Sequence, residues 1–102
     1  MSQLISIDMQ TGMKYAGNNK DLYMKMVDRF YANYIDIDLT NMSSNEFERA
    51  IHNLKSISMS IGAVKLHNIA KDIDENNSID MVPNLLDEMK MVLCDVKTLL
   101  DE

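Results

Sequence analysis

Apolar residues recur along this chain at spacings of three and four, the period of helices that bury one stripe against a core. Asp8 to Ala16 reads as a short opening helix, broken at Gly17-Asn18-Asn19, where glycine and asparagine accept left-handed backbone angles. A longer helix over roughly Lys20 to Ile35 carries Leu22, Tyr23, Met26, Val27 and Phe30 at helical spacing, until the polar stretch Asp36 to Ser44 interrupts it. A third helix is predicted from Ser43 or Ser44. Ser43 with Glu46 three places on fits a capping box, in which each side chain accepts a backbone amide proton left free at the helix start. Its stripe is Phe47, Ala50, Ile51, Leu54, Ile57 and Ile61, and Gly62 ends or tightly bends it. A fourth helix, about Ala63 to Glu75, turns Leu66, Ile69, Ala70 and Ile73 inward before the break at Asn76-Asn77-Ser78. The last helix has Pro83 in its first turn, where a missing amide proton costs nothing, and a wide apolar face running from Leu85 to Leu100.

Burying four such stripes through short connections predicts an all-α fold. The simplest version is an antiparallel up-down four-helix bundle with a short additional N-terminal helix. The 102 residues make one domain, 1–102, with no repeat or linker. Ten methionines, three glycines and one proline favour helices over sheet, and Met26 and Met89 read as core filler. The lone Cys94 lies among the apolar residues of the last helix and is expected to pack there, in keeping with a reducing cytosol. No basic leader or membrane-length apolar run is seen, so the expected protein is soluble, cytoplasmic and monomeric.

Two polar residues on the third helix suggest chemistry. With 3.6 residues per turn, Lys55 lies about one turn above His52 and only roughly 60° around from it, so the two share a face. That face is nearly opposite the apolar stripe, which directs the imidazole to solvent. An exposed imidazole with an ordinary pKa of ~6.5 is partly unprotonated near neutrality and can act as a nucleophile without an internal base. A lysine one turn away can neutralise charge on whatever the imidazole carries.

A formal charge of −6 disfavours nucleic-acid binding, which depends on clustered lysine and arginine. From Arg49 to Lys71, however, the chain carries Arg49, Lys55, Lys65, Lys71 and both histidines, but none of its sixteen acidic residues. A locally basic zone suited to an acidic, phosphate-bearing partner is therefore expected around the third helix. The three scattered glycines form no phosphate-cradling loop, so direct use of ATP is not expected.

The run His52-Asn53-Leu54-Lys55-Ser56-Ile57-Ser58-Met59-Ser60-Ile61-Gly62-Ala63 resembles the core motif of the histidine-containing phosphotransfer domains of two-component phosphorelay signalling. The likeness continues through Ile7-Asp8, Gly17-Asn18, Leu22-Tyr23 and Phe30 and covers nearly the whole chain. Ser56 stands where glycine is frequent in the family, and Met59 where a small residue is frequent. The resemblance implies the four-helix bundle. It also implies that His52, through Nε2, accepts a phosphoryl group from an aspartyl phosphate on one receiver domain and passes it to another. Lys55 would steady the phosphoryl oxygens. No cofactor is implied for this chain, and Mg2+ is expected on the receiver. Glu48, Arg49, Ser56 and Met59 are the expected partner-binding residues. The partners implied are response-regulator receiver domains and a hybrid sensor histidine kinase, and the initiating methionine favours a free-standing protein over an excised kinase module.

Two other classes are weighed against this carrier. One is a degenerate bundle that docks on a receiver or kinase without being phosphorylated. The other is a metal-binding bundle using His52, His67 and carboxylates, although the closely spaced His and Glu ligand sets of such bundles are missing from the sequence. His67 reads as a boundary residue with a satisfied ring, and Met59 as an exposed apolar residue that a partner could cover.

Overall fold

The computed structural model describes residues 4–101, which form five α-helices, two short 3-10 turns and no strand. The helices are α1 (Met9–Tyr15), α2 (Lys20–Tyr34), α3 (Ser44–Ser60), α4 (Val64–Asn76) and α5 (Val82–Asp101). Three of the starts are capped by side chains: Asp8, Asn19 and Ser43 each accept an amide proton from the first turn of the helix that follows. At Ser43 the capping box is only half formed, because the serine hydroxyl donates to Glu46 Oε1 at 2.9 Å and occupies that carboxylate directly. The breaks fall where expected, and Gly17, Asn18, Gly62 and Asn77 take left-handed backbone angles there.

The core takes one stripe from each long helix. Tyr23, Val27, Phe30 and Tyr34 of α2 meet Ile51, Leu54 and Ile61 of the α3 segment, Leu66, Ile69, Ala70 and Ile73 of α4, and Leu85, Met89, Val92, Val96 and Leu99 of α5. The most extensive contact is between α3 and α4, and α5 lies against both α2 and α4. Leu22 departs from the expectation of an inward position: it stands one residue off the Tyr23 line, about 100° around the helix, and is 46% exposed. The same offset leaves Met26 on the flank, partly buried. Cys94 is also a correction, since its turn of α5 faces outward and the thiol is exposed. The polar stretch before α3 holds an unforeseen 3-10 turn, Leu39–Asn41, that buries Leu39.

Gly62 governs the return from α3 to α4. Its φ is +87°, and a Cβ there would collide with the carbonyl of Asp8, whose amide donates to the Gly62 carbonyl at 2.8 Å. The α1 helix is thereby docked on the end of α3, and Gly12 lets the two backbones approach, because a Cβ at that position would meet the Ile61 backbone and the Tyr23 ring. The Tyr23 hydroxyl donates to the Ile61 carbonyl at 2.8 Å, and burial pushes its pKa up to about 12.

Residues 5–7, ahead of α1, run over α5 as a strap. The amides of Ile5, Ser6 and Ile7 all donate to Oδ2 of the buried Asp95, at 2.9, 2.5 and 3.0 Å. Replacing Asp95 with alanine leaves three strap amides without their acceptor. At about 1 kcal/mol or more per lost acceptor, the variant is expected to lose ~3 kcal/mol of stability, measurable by urea unfolding. Alkaline unfolding tests Tyr23. The folded state holds this proton more tightly than the unfolded chain, so the contribution is complete below pH 10 and is lost as pH rises from 10 towards about 12. Tyr23→Phe is expected to flatten that part of the stability curve.

Candidate functional site

His52 sits in the middle of α3 with its side chain 66% exposed, held in place by the burial of Ile51 and Leu54 on the opposite face of the helix. Because α4 returns antiparallel to α3, its last turn comes back alongside this position. Oδ2 of Asp74 lies 2.7 Å from Lys55 Nζ and 3.4 Å from His52 Nδ1, so a single oxygen joins the two residues of the exposed face. Glu75 adds a second carboxylate 3.5 Å from the Lys55 ammonium.

The consequences for protonation follow from Asp74 being an acceptor. Its hydrogen bond from Lys55, with a smaller one from His52, holds the carboxyl below the usual aspartate range. The same bond raises the Lys55 pKa above that of a free lysine. A carboxylate 3.4 Å from Nδ1 favours the neutral tautomer with hydrogen on Nδ1, in which the lone pair would sit on Nε2, away from Asp74.

His67 occupies the boundary position expected of it. Its Nδ1 donates to the Lys55 carbonyl at 2.6 Å, while the neighbouring Ser58 hydroxyl donates chiefly to the Leu54 carbonyl at 2.5 Å. The ring thus ties α4 to the α3 backbone directly beneath Lys55. Beyond Asp74 opens a groove of about 610 Å³, with Phe47, Ile51 and Ile73 in its wall and Glu48 at its edge.

Of the sequence-derived site residues, His52, Glu48, Arg49 and Ser56 are exposed, while Lys55 and Met59 are only partly so. Met59 therefore departs from the expected exposed position. Two cations of the expected basic zone are likewise paired with acids. Lys55 is neutralised by Asp74 and Glu75, and Lys65 stands 3.9 Å from Glu88. The acids absent from the stretch 49–71 are supplied from the end of α4 and from α5. Asp74 was missed by sequence reasoning. Its signal was the chain reversal at Gly62, with Asp74 about as far beyond it as His52 lies before it.

Comparison of this chain with protein-family models, with curated proteins and with solved structures finds no match.

The Lys55 ammonium gives a direct check on the network. It is expected to titrate above the ordinary lysine value of 10.5 in the wild type and to fall back towards it in Asp74→Asn, because the amide no longer stabilises the charged form. Side-chain carbon shifts of Lys55 followed by NMR from pH 9 to 12 report the change. Equal titration in both proteins would remove Asp74 from the site.

Proposed function

We propose that this chain is a phosphoryl carrier of a two-component phosphorelay, built as an up-down bundle of α2 to α5 capped by α1, with His52 as its acceptor. The observation that carries this reading is the exposed imidazole whose Nδ1 is turned to Asp74, so that the nucleophilic Nε2 faces outward. The surrounding run from His52 to Ala63 resembles the phosphotransfer motif, and the helical packing is compatible with that fold.

In the proposed step, the Nε2 lone pair attacks the phosphorus of an aspartyl phosphate on a receiver domain. The N–P bond forms as the P–O bond to the aspartate breaks, and the aspartate leaves as carboxylate. The Nδ1 proton stays in place, and Asp74 stabilises the positive charge that develops on the ring. Lys55, held one turn away by the same carboxylate, supplies an ammonium for the phosphoryl oxygens as they arrive. The reverse sequence delivers the group to a second receiver. Magnesium belongs to the receiver in this scheme, and no residue of this chain is assigned to it. Glu48, Arg49, Ser56 and Met59 surround His52 as the surface a receiver would meet.

Because the Lys55 ammonium already has two carboxylate partners, a second reading keeps the docking role and drops the transfer. In that case His52→Ala would bind receivers as well as the wild type does.

Incubation with a phosphorylated receiver, or with phosphoramidate as a small donor, separates the two readings. The carrier is expected to gain one acid-labile, alkali-stable phosphoryl group that is lost in His52→Gln. A wild-type protein that gains none, or a variant that still gains it, contradicts the carrier.

A further inference from the structure

A second recess lies away from His52, beneath the N-terminal strap. It has a volume of about 360 Å³, within the range of small-ligand sites, and its lining includes Ile5, Val64, Lys65, Glu88 and Met91. Glu88 of α5 is the unusual member. The residue is 3% exposed, its Oε2 has no hydrogen-bond partner among the described residues, and Oε1 has only Lys65 Nζ at 3.9 Å, beyond hydrogen-bond distance. A carboxylate withdrawn from water without donors is costly, and native proteins relieve that cost by pairing the charge.

Asp95, two turns further along the same helix, shows what relief looks like in this fold, since three strap amides converge on one of its oxygens. The strap gives Glu88 no such donors. Lys65 does not replace them, because its side chain is 75% exposed and stands at the rim. Asp8, the other acid lining the recess, is committed to Thr11 as the cap of α1. Glu88 is therefore a single available carboxylate, which suits a monovalent organic cation and not a divalent metal that needs several oxygen ligands. Next to it stand two apolar side chains left exposed by the fold, Ile5 at 77% and Met91 at 41%.

We propose that this recess binds a primary alkylammonium group, with the ammonium on Glu88 and the aliphatic stem against Ile5, Val64 and Met91. The ammonium supplies the N–H donors that the carboxylate lacks, and the stem covers the apolar rim. The lysine side chain of a partner protein and a free aliphatic amine share this chemistry. The site is independent of phosphoryl transfer at His52.

The test is an NMR titration of the intact chain with n-butylammonium. Saturable shifts are expected at the amides of Gly62, Val64, Lys65 and Met91, and not with the neutral isostere n-butanol. Glu88→Gln, close in size and freed of the buried charge, is expected to fold and to bind about tenfold or more weakly, the factor carried by one charge-assisted hydrogen bond. Lys65→Met removes the competing cation and is expected to tighten binding. Nα-acetyl-lysine amide and spermidine, compared in the same assay, distinguish a protein side chain from a free polyamine by which binds more tightly. No saturable shift in the wild type, equal response to n-butanol, or undiminished binding by a folded Glu88→Gln would overturn the assignment.

Discussion

The left-handed backbone at Gly62 is the constraint on which the rest of this molecule depends. It turns α3 back into α4 with almost no loop, and it accepts the Asp8 amide that docks α1 on the same end. His52 is ten residues before Gly62 and Asp74 twelve after it, so along two antiparallel helices rising ~1.5 Å per residue they reach nearly the same height. The contact between imidazole and carboxylate is thus a product of chain reversal, although the two residues stand on separate helices. A longer or differently angled turn would slide the last turn of α4 past His52 and leave Lys55 without its partner.

The electrostatics of the exposed face follow from that register. Asp74 uses one oxygen for both His52 and Lys55, which fixes the ammonium near the ring and orients the ring itself. Lys55 and Lys65 are paired with acids, so the positive field around His52 is weaker than the run of cations in the sequence suggests. His67 reinforces the arrangement from below by holding the Lys55 carbonyl. These are small contributions singly, because exposed ion pairs are screened by water, yet together they restrict the positions available to His52 and Lys55.

Helix periodicity made the fold largely legible before any coordinates. The stripes of α3, α4 and α5 and the breaks at Gly17, Gly62 and Asn77 are local properties, and local propensity agrees with tertiary packing at each of them. What was not legible depends on contacts between distant segments. Asp95 and Glu88 lie on the buried side of α5 in a stripe that reads as apolar, and nothing near them in sequence announces the strap that one of them anchors. Lys55 and Lys65 read as basic surface for the same reason, since the acids that face them arrive from α4 and α5. Leu22 and Cys94 were misplaced by a single position, about 100° on a helix, enough to move a side chain from core to solvent. The exposure of His52, by contrast, needed only the helical period.

In the proposed carrier, Asp74 holds the imidazole with Nδ1 protonated and Nε2 presented to a partner. Long-range proton-nitrogen NMR correlation of the neutral His52 ring measures this directly, because protonated and unprotonated ring nitrogens resonate far apart. A protonated Nδ1 with an unprotonated Nε2 in the wild type, and loss of that preference in Asp74→Asn, is the predicted result. An Nε2-protonated ring, or a tautomer indifferent to Asp74, would contradict it.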